Sequence, residues 1–154
     1  MNGAAEEASY MRRAIALARA RLGRTGANPA VGCVLVREER VIAEAATAEG
    51  GRPHAEEQAL AAAGVKARGA VAYVTLEPCG ERSSQAASCA ERLIAAGVSK
   101  VAVACLDPSP LASGRGLERL ADAGLPVVTG LLADEAQDLY QDYVKTLTAP
   151  GRLA

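Results

Sequence analysis

The sequence predicts an α/β fold, a three-layer α/β/α sandwich around a five-stranded sheet that is mixed but mostly parallel. Three observations predict it. Short runs rich in β-branched residues alternate with helix-period segments along most of the chain, the pattern of a parallel sheet covered by helices on both faces. A pair of strands joined by a charged turn comes before that alternation and makes the sheet mixed. The 154 residues match one ordinary domain, with no repeat, linker or low-complexity tract.

The elements follow in order. Residues 8–22 (ASYMRRAIALARARL) place Met11, Ile15, Ala18 and Leu22 on one face and arginines on the other, an amphipathic helix. The loop GRTGANPAVG follows. VGCVLVREERVIAEAAT then gives two strands with a turn around Arg37–Arg40. HAEEQALAAAG is a helix closed by Gly64. AVAYVTL is a β-branched strand, CAERLIAAG a helix ending at Gly97, and VSKVAVACL the next strand. GRGLERLADAG is helical, PVVTG is a short strand, ADEAQDLYQDYVKTL is a final helix, and TAPGRLA is a frayed tail. A single domain is expected over 1–154, with an ordered core over about 8–147 and no second domain.

Composition excludes several classes. Hydrophobic residues make up 50% and charged residues 23%, a globular profile. Phe and Trp are absent, so the core is built from Ala, Val, Leu and Ile. A net charge of −1 argues against a general nucleic-acid coat. Arg12, Arg13, Arg19, Arg21 and Arg24 read as a solvated helix face rather than an RNA-binding stripe. No apolar run approaches the roughly 18 residues that span a membrane, and MNGAAEEASYMRR lacks a signal-peptide pattern. The expectation is a cytoplasmic protein. There thiols stay reduced, so paired cysteines point to metal or catalysis before a disulfide.

The chemistry concentrates in three places. The single histidine, His54, opens a helix in RPHAEEQAL and is followed by Glu56 and Glu57. Cys79 follows Pro78 directly after the strand ending at residue 76, and Cys89 comes ten residues later. Ser88-x-x-Glu91 is a capping-box pattern that makes Cys89 the first residue of its helix, where a thiol pKa falls. One imidazole and two thiolates make a three-ligand zinc site with a fourth position for water. Two helix N-termini at the carboxyl end of a strand form the crevice in which α/β proteins bind ligands. Spacing does not choose between Glu56 and Glu57, and Glu57 shares a helix face with His54 more closely. Cys33 and Cys105, within apolar strand segments, read as small buried hydrophobes.

H-x-E followed by P-C and a second Cys resembles the signature of the zinc-dependent deaminases. NPAVGCVLV, GGRPHAE, YVTLEPC, CAERLIAAGV, LDPSP and TGLLADEAQDLYQDYV are similar to the pyrimidine deaminase domain of the bifunctional riboflavin-biosynthesis deaminase–reductase, from about residue 10 to 147. The resemblance implies a cytidine deaminase-like fold and hydrolytic deamination of an aminopyrimidine, the diaminohydroxyphosphoribosylaminopyrimidine of that pathway or a related heterocycle. It implies Zn²⁺ on His54, Cys79 and Cys89, with Glu56 moving the protons. Asn28 matches a substrate-contact position and also suits a turn before proline. The resemblance implies a dimer or larger assembly, and leaves three expectations for the next step: a separate reductase, a reductase domain on a longer chain, or none.

The chain departs from that pattern in the loop after Cys79. The family's x-H-x-G-(R/K)-T-P-P-C is here G-E-R-S-S-Q-A-A-S-C, one residue longer, with Glu81 at the histidine position. Ala27 also replaces a common proline. A carboxylate repels phosphate where an imidazole would not, so Glu81 and Arg82 are expected to set the substrate preference. A free base, a nucleoside or a nucleic-acid base as substrate, or a non-catalytic zinc-binding partner role, are the competing expectations.

Overall fold

Helix α1 spans Ala4–Arg19 in the computed structural model, which describes residues 3–80, 87–108 and 114–148. Met11, Ala14, Ile15 and Ala18 recur at helical spacing and are buried, while Glu6 and Glu7 complement the positive end of the helix dipole. The helix begins four residues earlier than the sequence pattern suggests and stops before Leu22, which is 42% exposed. Gly23, at φ +80°, takes a left-handed turn there that a helix cannot continue through.

Strands β1 (Gly32–Arg37) and β2 (Arg40–Ala46) form the expected hairpin. Glu38 and Glu39 both have positive φ, the turn geometry that matches strand twist. Helix α2 (Ala55–Ala63) leads to β3 (Val71–Leu76), α3 (Cys89–Ala96) to β4 (Lys100–Cys105), and α4 (Arg115–Asp122) to β5 (Val127–Thr129). The single final helix expected over 133–147 is broken. It consists of α5 (Ala133–Ala136), a 3₁₀ turn (Gln137–Tyr140) and α6 (Gln141–Thr148). The break buries two consecutive residues, Leu139 and Tyr140, which one face of a straight amphipathic helix does not do. Residues 149–154 of the expected tail lie outside the described residues.

The strand order is β2-β1-β3-β4-β5. β1 runs antiparallel to both β2 and β3, whereas β3, β4 and β5 pair in parallel. Four strands thus point one way and β1 alone is reversed, which is the mixed, mostly parallel sheet the pattern predicts. Val34, Val74, Val101 and Val103 are fully buried in the sheet, with Leu93 of α3 and Leu120 of α4 against it. Apart from the buried Tyr73 and Tyr140, aliphatic side chains fill this core.

Two helical layers cover opposite faces. Tyr10 of α1 stacks on Tyr73 of β3 at 5.4 Å. Two residues on, Thr75 meets the Tyr140 hydroxyl at 2.6 Å, so α1 and the C-terminal helices share that face. On the other side α2, α3 and α4 pack in a row. The arginine face of α1 is paired within the chain: Arg12 with Glu135 at 2.9 Å, Arg19 with Asp138 at 2.9 Å, and Arg13 with Glu44. Being exposed, these pairs orient α1 more than they stabilise it. Among the described residues no helix is long and apolar enough to cross a membrane.

Gly32 makes the closest approach of α1 to the sheet, since a Cβ there would overlap the Ala14 carbonyl oxygen. Gly32→Ala therefore forces helix and strand apart. The expected cost is about 1–3 kcal/mol, read as a lowered melting temperature by circular dichroism. An unchanged melting temperature would contradict this packing.

Candidate metal centre

β3 ends at Leu76, and Glu77, Pro78 and Cys79 carry the chain out of the sheet. Two helices begin beside that exit. His54 is the N-cap of α2, one position earlier than the first-turn place its sequence suggests. Cys89 is the first residue of α3, behind the expected N-cap Ser88. Ser88 Oγ accepts from the Glu91 amide at 3.1 Å, and the Glu91 carboxylate accepts from the Ser88 amide at 3.4 Å.

This arrangement brings the metal-binding atoms of His54, Cys79 and Cys89 to within 4.8 Å of one another. His54 Nδ1 lies 3.4 Å from Cys89 Sγ, and the Cys89 amide donates to Cys79 Sγ at 3.1 Å. Hydrogen bonding from Cys89, aided by His54 and the Cys89 amide, draws the Cys79 thiol down to about 4 against the opposing effect of burial. A thiolate, a second thiol at a helix start and an imidazole are a donor set that suits zinc. All four cysteines are free, so the loop is not a disulfide loop.

The two glutamates that spacing leaves open are separated by the fold. Glu57 accepts from the His54 amide at 2.9 Å and pairs with Arg92 of α3 at 3.4 Å, so it closes the capping box. Glu56 points the other way and is 4% exposed. Burial is the main cause that lifts its carboxyl to about 7, with the nearby Cys79 adding to the rise and His54 and Cys89 opposing it. Cys33, beside it on β1, is fully buried, and its thiol is raised by burial and by the Glu56 charge. Cys105 is half-buried rather than in the core.

His54, Glu56 and Cys79 line one cavity of about 160 Å³ with Asn28, Thr47, Glu77, Asp107 and Tyr143. Asn28 takes up the turn expected before Pro29 and also lines this cavity. Its amide nitrogen donates to the Gly51 carbonyl at 2.9 Å, its backbone closes a turn with Thr25, and it faces the cavity. Thr47 holds the same wall, accepting from the Val31 amide at 2.9 Å. Glu81 and Arg82 lie outside the described residues.

Thr47, Glu77, Asp107 and Tyr143 were not foreseen as site residues. Asp107 follows the carboxyl end of β4, which the rule for ligand sites in α/β sheets singles out. Tyr143 carries no local signal. It reaches the cavity because α6 packs there, with its hydroxyl donating to Asp107 at 3.3 Å.

The mixed sheet and the His-Cys-Cys cluster at its carboxyl edge define a zinc-binding deaminase domain. The family model of the cytidine and deoxycytidylate deaminase zinc-binding region matches residues 4–105, and the chain belongs to that family. It is 43% identical over 140 residues to the riboflavin biosynthesis protein RibD of Aquifex aeolicus, covering 91% of this chain and 39% of that protein. It is 39% identical over 138 residues to a diaminohydroxyphosphoribosylamino-pyrimidine deaminase of Buchnera aphidicola, covering 90% of this chain and 93% of that protein. The structure of Acinetobacter baumannii RibD superposes with a TM-score of 0.89 at 43% identity, over 96% of this chain and 41% of that one. The chain thus spans about two-fifths of the RibD proteins and matches their deaminase domain.

The capping geometry yields a stability prediction. Glu57→Ala removes the acceptor for the His54 amide and the partner of Arg92, and is expected to cost about 1 kcal/mol. Thermal or urea unfolding measures it, and wild-type stability would rule out the capping role.

Proposed function

We propose that this domain hydrolyses the exocyclic amine of an aminopyrimidine, releasing ammonia, and that its substrate is the diaminohydroxyphosphoribosylaminopyrimidine of riboflavin biosynthesis. One observation carries the reading: a buried carboxylate, Glu56, lines the same cavity as His54 and Cys79 of a His-Cys-Cys cluster sized for one metal ion. A purely zinc-binding module has no use for that carboxylate.

His54, Cys79 and Cys89 would hold the zinc. When bound, zinc supplies Lewis acidity that lowers the pKa of a coordinated water. The remaining work falls to the chain. Glu56 takes one proton from the attacking water, passes it to a ring nitrogen, and carries a second to the departing amine. Water adds at the ring carbon, the carbon–nitrogen bond breaks, and the products are the oxo-pyrimidine and ammonia. The low exposure of Glu56 keeps these transfers away from bulk solvent.

Asn28 is assigned to substrate on its place in the cavity wall. Glu81 and Arg82 are assigned to substrate binding on their sequence position after Cys79, where the chain departs from the riboflavin-type pattern. Four free cysteines suit a reducing cytoplasm. Assembly as a homodimer and a separate reductase acting on the product complete the proposal.

Metal analysis is expected to find about one zinc per chain, lost in Cys79→Ala. Glu56→Gln is expected to keep its zinc while losing on the order of 10²-fold or more in turnover. Ammonia release is measured on the ribosyl phosphate beside free bases and nucleosides. Equal rates for wild type and Glu56→Gln on every substrate would refute the enzyme reading. A preference for an unphosphorylated base would refute the substrate assignment alone.

A further inference from the structure

We infer that Glu77 is a positioning residue for Cys79, clamping the segment that carries this side chain to the start of α4. The inference rests on the reading of His54, Cys79 and Cys89 as zinc ligands.

Glu77 is 4% exposed, and among the described residues its carboxylate accepts four backbone amides from two other segments. One oxygen takes the amides of Asp107 and Gly114, each at 3.1 Å. The other takes Gly116 at 3.1 Å and Leu117 at 3.4 Å. Gly116 and Leu117 lie in the first turn of α4, where amides have no partner within the helix. The N-cap of α4, Gly114, has no side chain to serve them. Glu77 therefore caps α4 from another element, with a full charge where the dipole favours one.

The same clamp leaves Cys79 little freedom. A Cβ on Gly116 would overlap the Pro78 carbonyl oxygen, and one on Gly80 would come within 2.8 Å of the Arg115 backbone. The segment from Pro78 to Gly80 thus lies directly against the helix end. From the other side, Cys79 accepts the Ala90 amide at its carbonyl, 3.0 Å away. Cys79 is held between the starts of α3 and α4, and only the α4 side depends on Glu77. Asp107, whose amide the carboxylate also takes, is fixed as a cavity wall by the same group.

Glu77→Gln keeps the side-chain length but turns an NH₂ group toward amides that need an acceptor. Groups outside the ligand set that orient a metal ligand are worth 10–100-fold in metal affinity, and Glu77 orients Cys79 through the backbone of its segment. The test uses the zinc-loaded protein and follows zinc transfer to a colorimetric chelator at 25 °C. Glu77→Gln is expected to release zinc at least roughly 10-fold faster than wild type. Met11→Ala, which removes a fully buried side chain of α1, is expected to lower the melting temperature yet release zinc at the wild-type rate. If Glu77→Gln does not fold, Glu77→Asp, one methylene short of the helix end, is read instead and is expected to release zinc several-fold faster. A wild-type release rate in the Glu77 variant overturns the inference, and so does equal acceleration in Met11→Ala. A wild type that takes up no zinc overturns the reading beneath it, an outcome distinct from the other two.

Discussion

The hydrogen bond from the Cys89 amide to Cys79 Sγ, at 3.1 Å, is the contact on which the site depends. It joins the end of β3 to the first turn of α3, and it takes an amide that α3 itself leaves unpaired. The same contact helps make Cys79 a thiolate. His54, at the start of α2, approaches from the other side and meets Cys89. A strand that ends where two helices begin is the structural requirement. The sheet satisfies it by placing β3 at its centre, between β1 and β4.

The helices can reach that point because the core is thin. Alanines and valines fill the space between α2, α3 and the sheet, and no Phe or Trp holds the layers apart. Glycines continue the theme, with Gly32 letting α1 touch β1 and Gly116 letting α4 touch the segment before Cys79. Arg92 then ties the two ligand-bearing helices together, pairing with Glu57 and donating to the Ala87 carbonyl at 3.2 Å. Close packing and local capping thus act on the same three residues.

The separation of Glu56 from Glu57 shows how the fold turns similar residues to different ends. Both stand in the first turn of α2. Glu57 faces back to the His54 amide and outward to Arg92, where a carboxylate is satisfied by a donor and a cation. Glu56 faces the thiols in a buried cavity, where desolvation raises its proton affinity. A choice that helical spacing left open is decided by which side of the helix meets the sheet.

Much of this protein was legible in its sequence. The alternation of strand and helix patterns, the hairpin, the N-cap Ser88, the terminal Gly97 and the His54, Cys79 and Cys89 set all rest on local rules, and local rules read well from one chain. The break at 137–140 was not legible, because the burial of Tyr140 against Thr75 is a contact 65 residues distant. Nor were Thr47, Asp107 and Tyr143 as cavity walls, since each arrives from a different element. The sequence by itself determined which groups are available for metal chemistry and on which helix starts they stand. Helical spacing left Glu56 and Glu57 equivalent and only the H-x-E resemblance singled out Glu56; the tertiary structure supplied the physical reason and alone decided how Glu77 joins β3 to α4, because both depend on long-range packing.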